Sequence, residues 1–278
     1  MSTFPKVAMI GGGNMANALA SGLLAQGCPP SHLLVIEIDE SLRQSWQTRG
    51  VMTSASADAA LSGFDVWMFA VKPQQMRAVV QTAHPYLRQD TLVISIAAGI
   101  SIASLSAWLA RDGVPHQRVV RCMPNTPALV AAGVTGMAAP EQLSAHDRAT
   151  ATHLLSSVGQ VVWVDGDASI DAVTALSGSG PAYVFLFIEA LIAGGQKLGL
   201  SYDQSKTLAL ATLAGATKLA AESPENPGTL RERVTSKGGT TAAALDVFAK
   251  REFAVTIQDA MAAADKRAAE LSQEFGTS

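Results

Sequence analysis

The stretch VAMIGGGNMANALASGLL, Val7–Leu24, decides how the N-terminal half of the chain is read. It opens with an apolar run of strand length and closes with an amphipathic segment, Asn14–Gln26. Between them stands Gly11-x-Gly13-x-x-Ala16. The first glycine permits a tight turn, the second lets the backbone approach a pyrophosphate, and Ala16 allows close helix–sheet contact. The helix N-terminus behind them offers N–H donors and a partial positive charge. Because strand, turn and helix coincide, the pattern points to nucleotide binding; the alternative is a glycine-rich turn kept for packing alone.

Outward from this unit, short apolar runs alternate with helical stretches. Lys6–Ile10, His32–Ile38, Asp65–Val71, Asp90–Ile96 and Arg118–Met123 read as strands, and Val161–Gly166 as the last one. Most are apolar on both faces, as strands covered by helices on each side must be. Gln74–Leu87 and Ser101–Arg111 supply helices between them. The alternation predicts a parallel, doubly wound sheet over residues 1–166. From 167 to 278 no strand is expected and Ala, Leu and Gly dominate. Ser201-x-x-Gln204 is a capping-box pattern opening a helix that stops at Pro224, and Thr241–Phe275 reads as one long helix or two shorter ones. The fold class is therefore α/β, a Rossmann-like dinucleotide-binding domain followed by an all-helical domain. Long Ala-rich helices suit a dimer interface and single-chain packing equally well.

Composition narrows the partners. Hydrophobic residues make up 48% of the 278 and charged residues only 15%, which favours apolar surface buried between subunits. A net charge of -3 offers no positive blanket for nucleic acid. The two cysteines, Cys28 and Cys122, have no metal or disulfide spacing, and no metal site is expected. MSTFPKVAMIGGG contains no basic region followed by an apolar leader core, and the longest apolar run, AYVFLFIEALIAGG, is broken by Glu189. A soluble cytoplasmic protein without a membrane partner is expected.

The second strand ends VIEIDES, which puts Glu37 and Asp39 where a ribose-reading acid belongs. A carboxylate there accepts from both ribose hydroxyls and repels a 2′-phosphate, which favours NAD; Arg43 and Arg49 serve NADP only by reaching back from the next helix. AVKP, AAG and MPNTP all follow strands on the carboxyl edge of the sheet. Lys72 in the first of them is a catalytic base, a cofactor contact, or a surface lysine opening a helix whose first turn tolerates Pro73. Far downstream, VTSKGGTT (Val234–Thr241) is either a plain helix connection or an anion cradle, in which Gly238 and Gly239 let N–H groups converge.

Taken together, GGGNMANALASGL, AVKPQ, SIAAGIS, RCMPNTPALVAAGVT, ALSGSGPAYVF and PGTLRERVTSKGGTTAAAL resemble, in order and spacing, the pyrroline-5-carboxylate reductases. The resemblance runs from Val7 to about Asp265. It implies reduction of L-1-pyrroline-5-carboxylate to L-proline with NADPH or NADH, the last step of proline biosynthesis. It also implies a helical domain that interlocks with a second subunit, so that the active site forms where a cofactor domain meets helical loops of the dimer. By the same resemblance Gly11, Gly13, Asn14, Met15 and Ala16 hold the pyrophosphate, and Ala70, Val71, Lys72 and Pro73 line the cofactor cleft, while Glu37 and Asp39 are a departure, since many family members favour NADPH. Ala98, Gly99 and Asn125 lie toward the nicotinamide or the substrate, Thr174 near the substrate ring nitrogen, and Ser236, Gly238, Gly239, Thr240 and Thr241 around the substrate carboxylate. The family loop usually reads SPGG, and here Lys237 replaces its proline.

No His–Asp pair or other strong acid falls within these motifs, and the five histidines lie outside them. A protonated imine is already electrophilic, so the demand on the protein is chiefly orientation. Two other readings compete. A 3-hydroxyacid dehydrogenase predicts a catalytic lysine in the helical half, where Lys197 and Lys218 stand in no matching motif; a dinucleotide-sensing regulator predicts a ruined substrate loop, whereas this loop is intact.

Overall fold

The computed structural model describes residues 4–276. Apolar runs collapse into strands β1 (Val7–Ile10), β2 (Leu33–Ile36), β3 (Met52–Ser54), β4 (Val66–Phe69), β5 (Leu92–Ser95), β6 (Val119–Met123), β7 (Gly133–Ala138) and β8 (Gly159–Trp163). Among the described residues they form one eight-stranded sheet in the order β3-β2-β1-β4-β5-β6-β7-β8. β1 pairs in parallel with β2 on one side and β4 on the other, so the chain reverses its direction of travel across the sheet at β1. That reversal opens a crevice beyond the carboxyl end of β1, where ligands of doubly wound sheets bind.

β1, β2, β4 and β5 are buried at every position, which accounts for sequences that are apolar throughout except for Ser95 at the end of β5. Two strands escape the sequence reading. β3 has only three residues, and β7 carries two glycines and runs antiparallel to β6. The last strand also starts earlier than its apolar pattern suggests, at Gly159.

Helices α1 (Asn14–Ala25), α2 (Glu40–Gln47), α3 (Pro73–Ala83), α4 (Ile102–Trp108) and α5 (Ala145–Leu155) connect the strands. One apolar layer gathers Leu19 and Leu23 of α1 with Met9, Val35, Met68 and Ile94; the opposite layer gathers Met76 and Val80 of α3 with Trp67, Phe69 and Val93. Helix α6 (Gly166–Val173) packs over β6 and β7 and passes into a wider π turn at Thr174–Gly178.

The chain divides into two compact units. The first is Met1–Ser179 with Ala264–Ser278, so α6 and the π turn stay with the sheet; the second is Gly180–Ala263. The second contains α7 (Gly180–Lys197) and α8 (Tyr202–Glu222), which pack on each other, then α9 (Pro227–Arg233), α10 (Thr240–Lys250) and the first part of α11 (Phe253–Gly276). The Ser201–Gln204 capping box forms and α8 ends before Pro224. Thr241–Phe275 is two helices, broken where Glu252 takes φ 51°. Within this unit Phe253 packs against Phe187 and Phe248 at centroid distances of 6.3 and 5.1 Å. Yet α7 buries no residue, and Phe185 and Leu186 are 58% and 67% exposed. The helical run Gly166–Lys197 is long and apolar enough to cross a membrane by length and composition, with a window of mean hydropathy 1.5 despite Glu189.

Candidate active site

The turn after β1 is held from both sides. Gly11 N–H donates to the Ile36 carbonyl and Ala70 N–H to the Ile10 carbonyl, each at 2.8 Å. Gly11 sits at φ 103°, and a Cβ there would lie 2.6 Å from the Ala70 oxygen. Only glycine fits such a backbone so close to a neighbouring strand. Gly13 is exposed and faces open space, while Ala16 is buried in the core against which Met15 packs. Gly13 caps α1 with no side-chain acceptor, so the first-turn N–H groups are not taken up by a capping residue. A glycine turn with room above it and a helix N-terminus free of a cap is the donor set a pyrophosphate requires, and these residues fit a dinucleotide.

Glu37 stands directly after β2. Its Oε2 accepts from Gly12 N–H at 2.8 Å and its Oε1 from Asp39 N–H at 3.0 Å, which ties the acid to the glycine turn. Gly12, absent from the sequence-predicted contacts, is the link; its carbonyl also accepts from Trp46 Nε1 at 3.3 Å. Asp39 caps α2, and the Ser41 hydroxyl with the Leu42 and Ser41 N–H groups holds its carboxyl below the usual range.

The remaining predicted residues fall on the same carboxyl edge with different local duties. Ala70 and Val71 are half-buried behind β4, exposed Lys72 is the N-cap of α3, and Pro73 occupies its first turn. Ala98 is half-buried, whereas Gly99 is buried at φ 72°, and a Cβ on it would meet Leu271 and Phe275 of α11 at 3.1 Å. Asn125 is a bracket: its Nδ2 donates to the Ser177 carbonyl at 3.1 Å and its Oδ1 accepts from Val134 N–H at 2.9 Å. It thereby joins the end of β6 to the π turn and to β7.

Thr174 opens that π turn, half-buried, and its hydroxyl donates to the Ile170 carbonyl at 2.8 Å. The turn's mount is a group the sequence reading missed. Arg121 of β6, 2% exposed, reaches Asp167 Oδ1 at 2.8 Å and Asp171 Oδ1 at 2.7 Å, both on α6. Asp167 also accepts from Ile102 N–H at the start of α4. An arginine in an otherwise apolar strand was the visible signal.

In the helical unit, Gly239 caps α10 with no side-chain acceptor, and Thr240 and Thr241 are the first two helical residues. Gly238 turns the chain at φ 73°, and Gly239 N–H donates to the Ser236 carbonyl at 3.0 Å. Ser236, Lys237 and Gly238 are exposed and Thr241 is half-buried. Among the described residues no group of three or more His, Cys, Asp or Glu is placed to hold a metal ion.

Residues 167–271 match the family model for pyrroline-5-carboxylate reductase dimerisation, and residues 6–99 that for NADP oxidoreductase, coenzyme F420-dependent. The chain is 45% identical to a pyrroline-5-carboxylate reductase of Pseudomonas aeruginosa, over 99% of this chain and 100% of that protein. It is 38% identical to one from Pisum sativum, over 95% and 94%. The structure superposes on a pyrroline-5-carboxylate reductase from Coxiella burnetii with a TM-score of 0.90 at 36% identity, covering 97% of this chain and 99% of that one. It superposes on the Plasmodium falciparum enzyme, solved with NADP bound, with a TM-score of 0.85 at 29% identity, covering 97% and 99%. The chain belongs to the pyrroline-5-carboxylate reductase family.

Proposed function

We propose that the protein reduces L-1-pyrroline-5-carboxylate to L-proline at the expense of NADPH or NADH, the closing step of proline biosynthesis. The observation that carries the reading is the pair of helix N-termini, α1 and α10, that no side chain caps. Each is an anion site in waiting, one behind a Rossmann glycine turn and one behind the loop Ser236–Gly239, where Lys237 is the one residue neither small nor hydroxyl-bearing. The first suits a pyrophosphate. The second suits the carboxylate of a small substrate, held by Ser236, Gly238, Gly239, Thr240 and Thr241.

A reduced nicotinamide dinucleotide supplies the hydride when bound. The pyrophosphate belongs to Gly11, Gly13, Asn14, Met15 and Ala16, the ribose to Glu37, and the cleft wall to Ala70, Val71, Lys72 and Pro73, with Ala98, Gly99 and Asn125 toward the reactive end. Thr174 is assigned to the ring nitrogen, and its geometry sharpens the role. Because its proton is given to the Ile170 carbonyl, its oxygen keeps lone pairs for an N–H. It therefore acts as an acceptor that favours the protonated imine, the form most open to hydride attack. No side chain has to deliver a proton in the reducing step if the imine arrives protonated.

The division at 166/167 into a cofactor half and a substrate and dimerisation half is part of this proposal. So is a homo-oligomer built through the helical half: the exposed apolar side chains of α7 account for a subunit interface as they do for the membrane-like hydropathy of that run. A cytoplasmic location follows from the same reading. Activity on the cyclic imine is checked by following its dependence on NADPH and NADH separately, with proline and the oxidised cofactors at alkaline pH as the reverse assay. Absence of imine-dependent cofactor oxidation, or equal oxidation of a 3-hydroxyacid substrate, sinks it.

A further inference from the structure

We propose that this chain selects NADH over NADPH, and that Glu37, locked onto the glycine turn, is the residue that discriminates. The inference rests on the reading that the turn after β1 holds a dinucleotide. A 2′-phosphate is a dianion that needs donors at the end of β2, either N–H groups of the following turn or a free guanidinium. Here the donors are already filled by the chain's own carboxylates. Glu37 takes Gly12 N–H and Asp39 N–H at 2.8 and 3.0 Å. Asp39 takes Ser41 N–H at 2.8 Å, the Ser41 hydroxyl at 2.6 Å and Leu42 N–H at 3.1 Å, so the N-terminus of α2 is closed to an outside anion.

The nearby arginines are committed as well. Arg43 Nη1 donates to the Glu37 and Ile38 carbonyls at 2.6 and 2.8 Å, and its Nη2 pairs with Glu40. Arg49 donates to Asn17 at 2.6 Å and Ser21 at 2.9 Å, with its guanidinium 4.7 Å from the Trp46 ring. A phosphate would therefore meet Glu37, Asp39 and Glu40 while displacing hydrogen bonds to reach any donor. Unphosphorylated ribose meets the opposite situation. Each Glu37 oxygen has used one acceptor position and retains another, so ribose hydroxyls can donate to it without breaking either existing bond.

The test is a set of dissociation constants measured by calorimetry on the full chain with NADH, NADPH, 5′-ADP and 2′,5′-ADP. NADH is expected to bind at least about ten-fold more tightly than NADPH, with the two adenosine fragments ranked the same way. Glu37→Ser, which releases both N–H groups and removes the charge, is expected to narrow that ratio about ten-fold or reverse it. Glu37→Gln, which keeps an acceptor for the turn, should narrow it in the same direction and guards against collapse of the loop. Equal or tighter NADPH binding by the native chain overturns the selectivity while leaving dinucleotide binding intact. A ratio unmoved in both variants overturns the role of Glu37. Failure of every dinucleotide to bind removes the underlying reading and this inference with it.

Discussion

Asp171 of α6 accepts from the guanidinium of Arg121 at 2.7 Å, and that buried contact fixes the helix whose continuation carries Thr174. Arg121 Nη1 adds Asp167 at 2.8 Å, so two carboxylates four residues apart on one helix grip a single side chain of β6. The charge is nearly inaccessible to water, and removing one partner leaves the other uncompensated. Arg121→Met is therefore expected to lower unfolding free energy by about 3–5 kcal/mol. Chemical denaturation of the variant measures this; a loss below about 1 kcal/mol would show the network to be incidental.

Gly11→Ala tests the cradle itself. The alanine must adopt φ 103° and place its Cβ 2.6 Å from the Ala70 oxygen. The backbone strain alone is about 1–3 kcal/mol, and relief requires the turn to move off β4. Dinucleotide affinity is expected to fall by more than affinity for the imine acid or for proline. Calorimetry with each ligand separates the two.

Thr174→Val removes the oxygen to which the proposed function assigns the imine N–H. A hydrogen bond to a charged group contributes about 1.5–3 kcal/mol, so turnover should drop roughly 10- to 100-fold. Since the bond favours the protonated imine, its loss should also move the alkaline limb of the rate profile to lower pH. Thr174→Ser should restore both. A valine variant with a profile parallel to that of the native chain would exclude Thr174 from the reaction.

Thr241→Ala should raise KM for the imine acid by roughly ten-fold or more while cofactor affinity stays within about two-fold, because the proposed function assigns its hydroxyl to the substrate carboxylate and not to the cofactor. Equal weakening of both ligands in steady-state assays would count against the assignment.

His116 supplies a stability signature unconnected with catalysis. Burial lowers its pKa, against a raising contribution from the Thr91 carbonyl 2.9 Å from Nε2, with Arg118 and Arg111 lowering it further and Asp147 raising it. The unfolded chain then binds a proton below about pH 6.5 that the folded chain refuses. Stability is expected to be complete above that pH and to decline as pH falls from there toward the folded-state value. His116→Gln should flatten this part of the curve in thermal melts across the range.

The α/β class, the glycine turn and the family were legible in local sequence because each depends on short-range constraints. A Gly11 that must turn at positive φ, strands apolar on both faces and the Ser201–Gln204 cap all lie within a few residues of what determines them. Other features needed the tertiary structure. β3 and β7 are too short or too glycine-rich to announce themselves, and they exist because β2 and β6 offer open edges for pairing. The sequence placed Glu37 at the right distance from Gly11, but only folding brings its carboxylate onto Gly12 N–H, 25 positions away. The same holds for Arg121 and Asp171, 50 positions apart, whose pairing keeps α6 and Thr174 with the sheet. Periodicity and spacing report what a residue is and which face it occupies. Which partner neutralises a buried charge, and which donors an acid has already consumed, is decided by long-range contacts that no local pattern encodes.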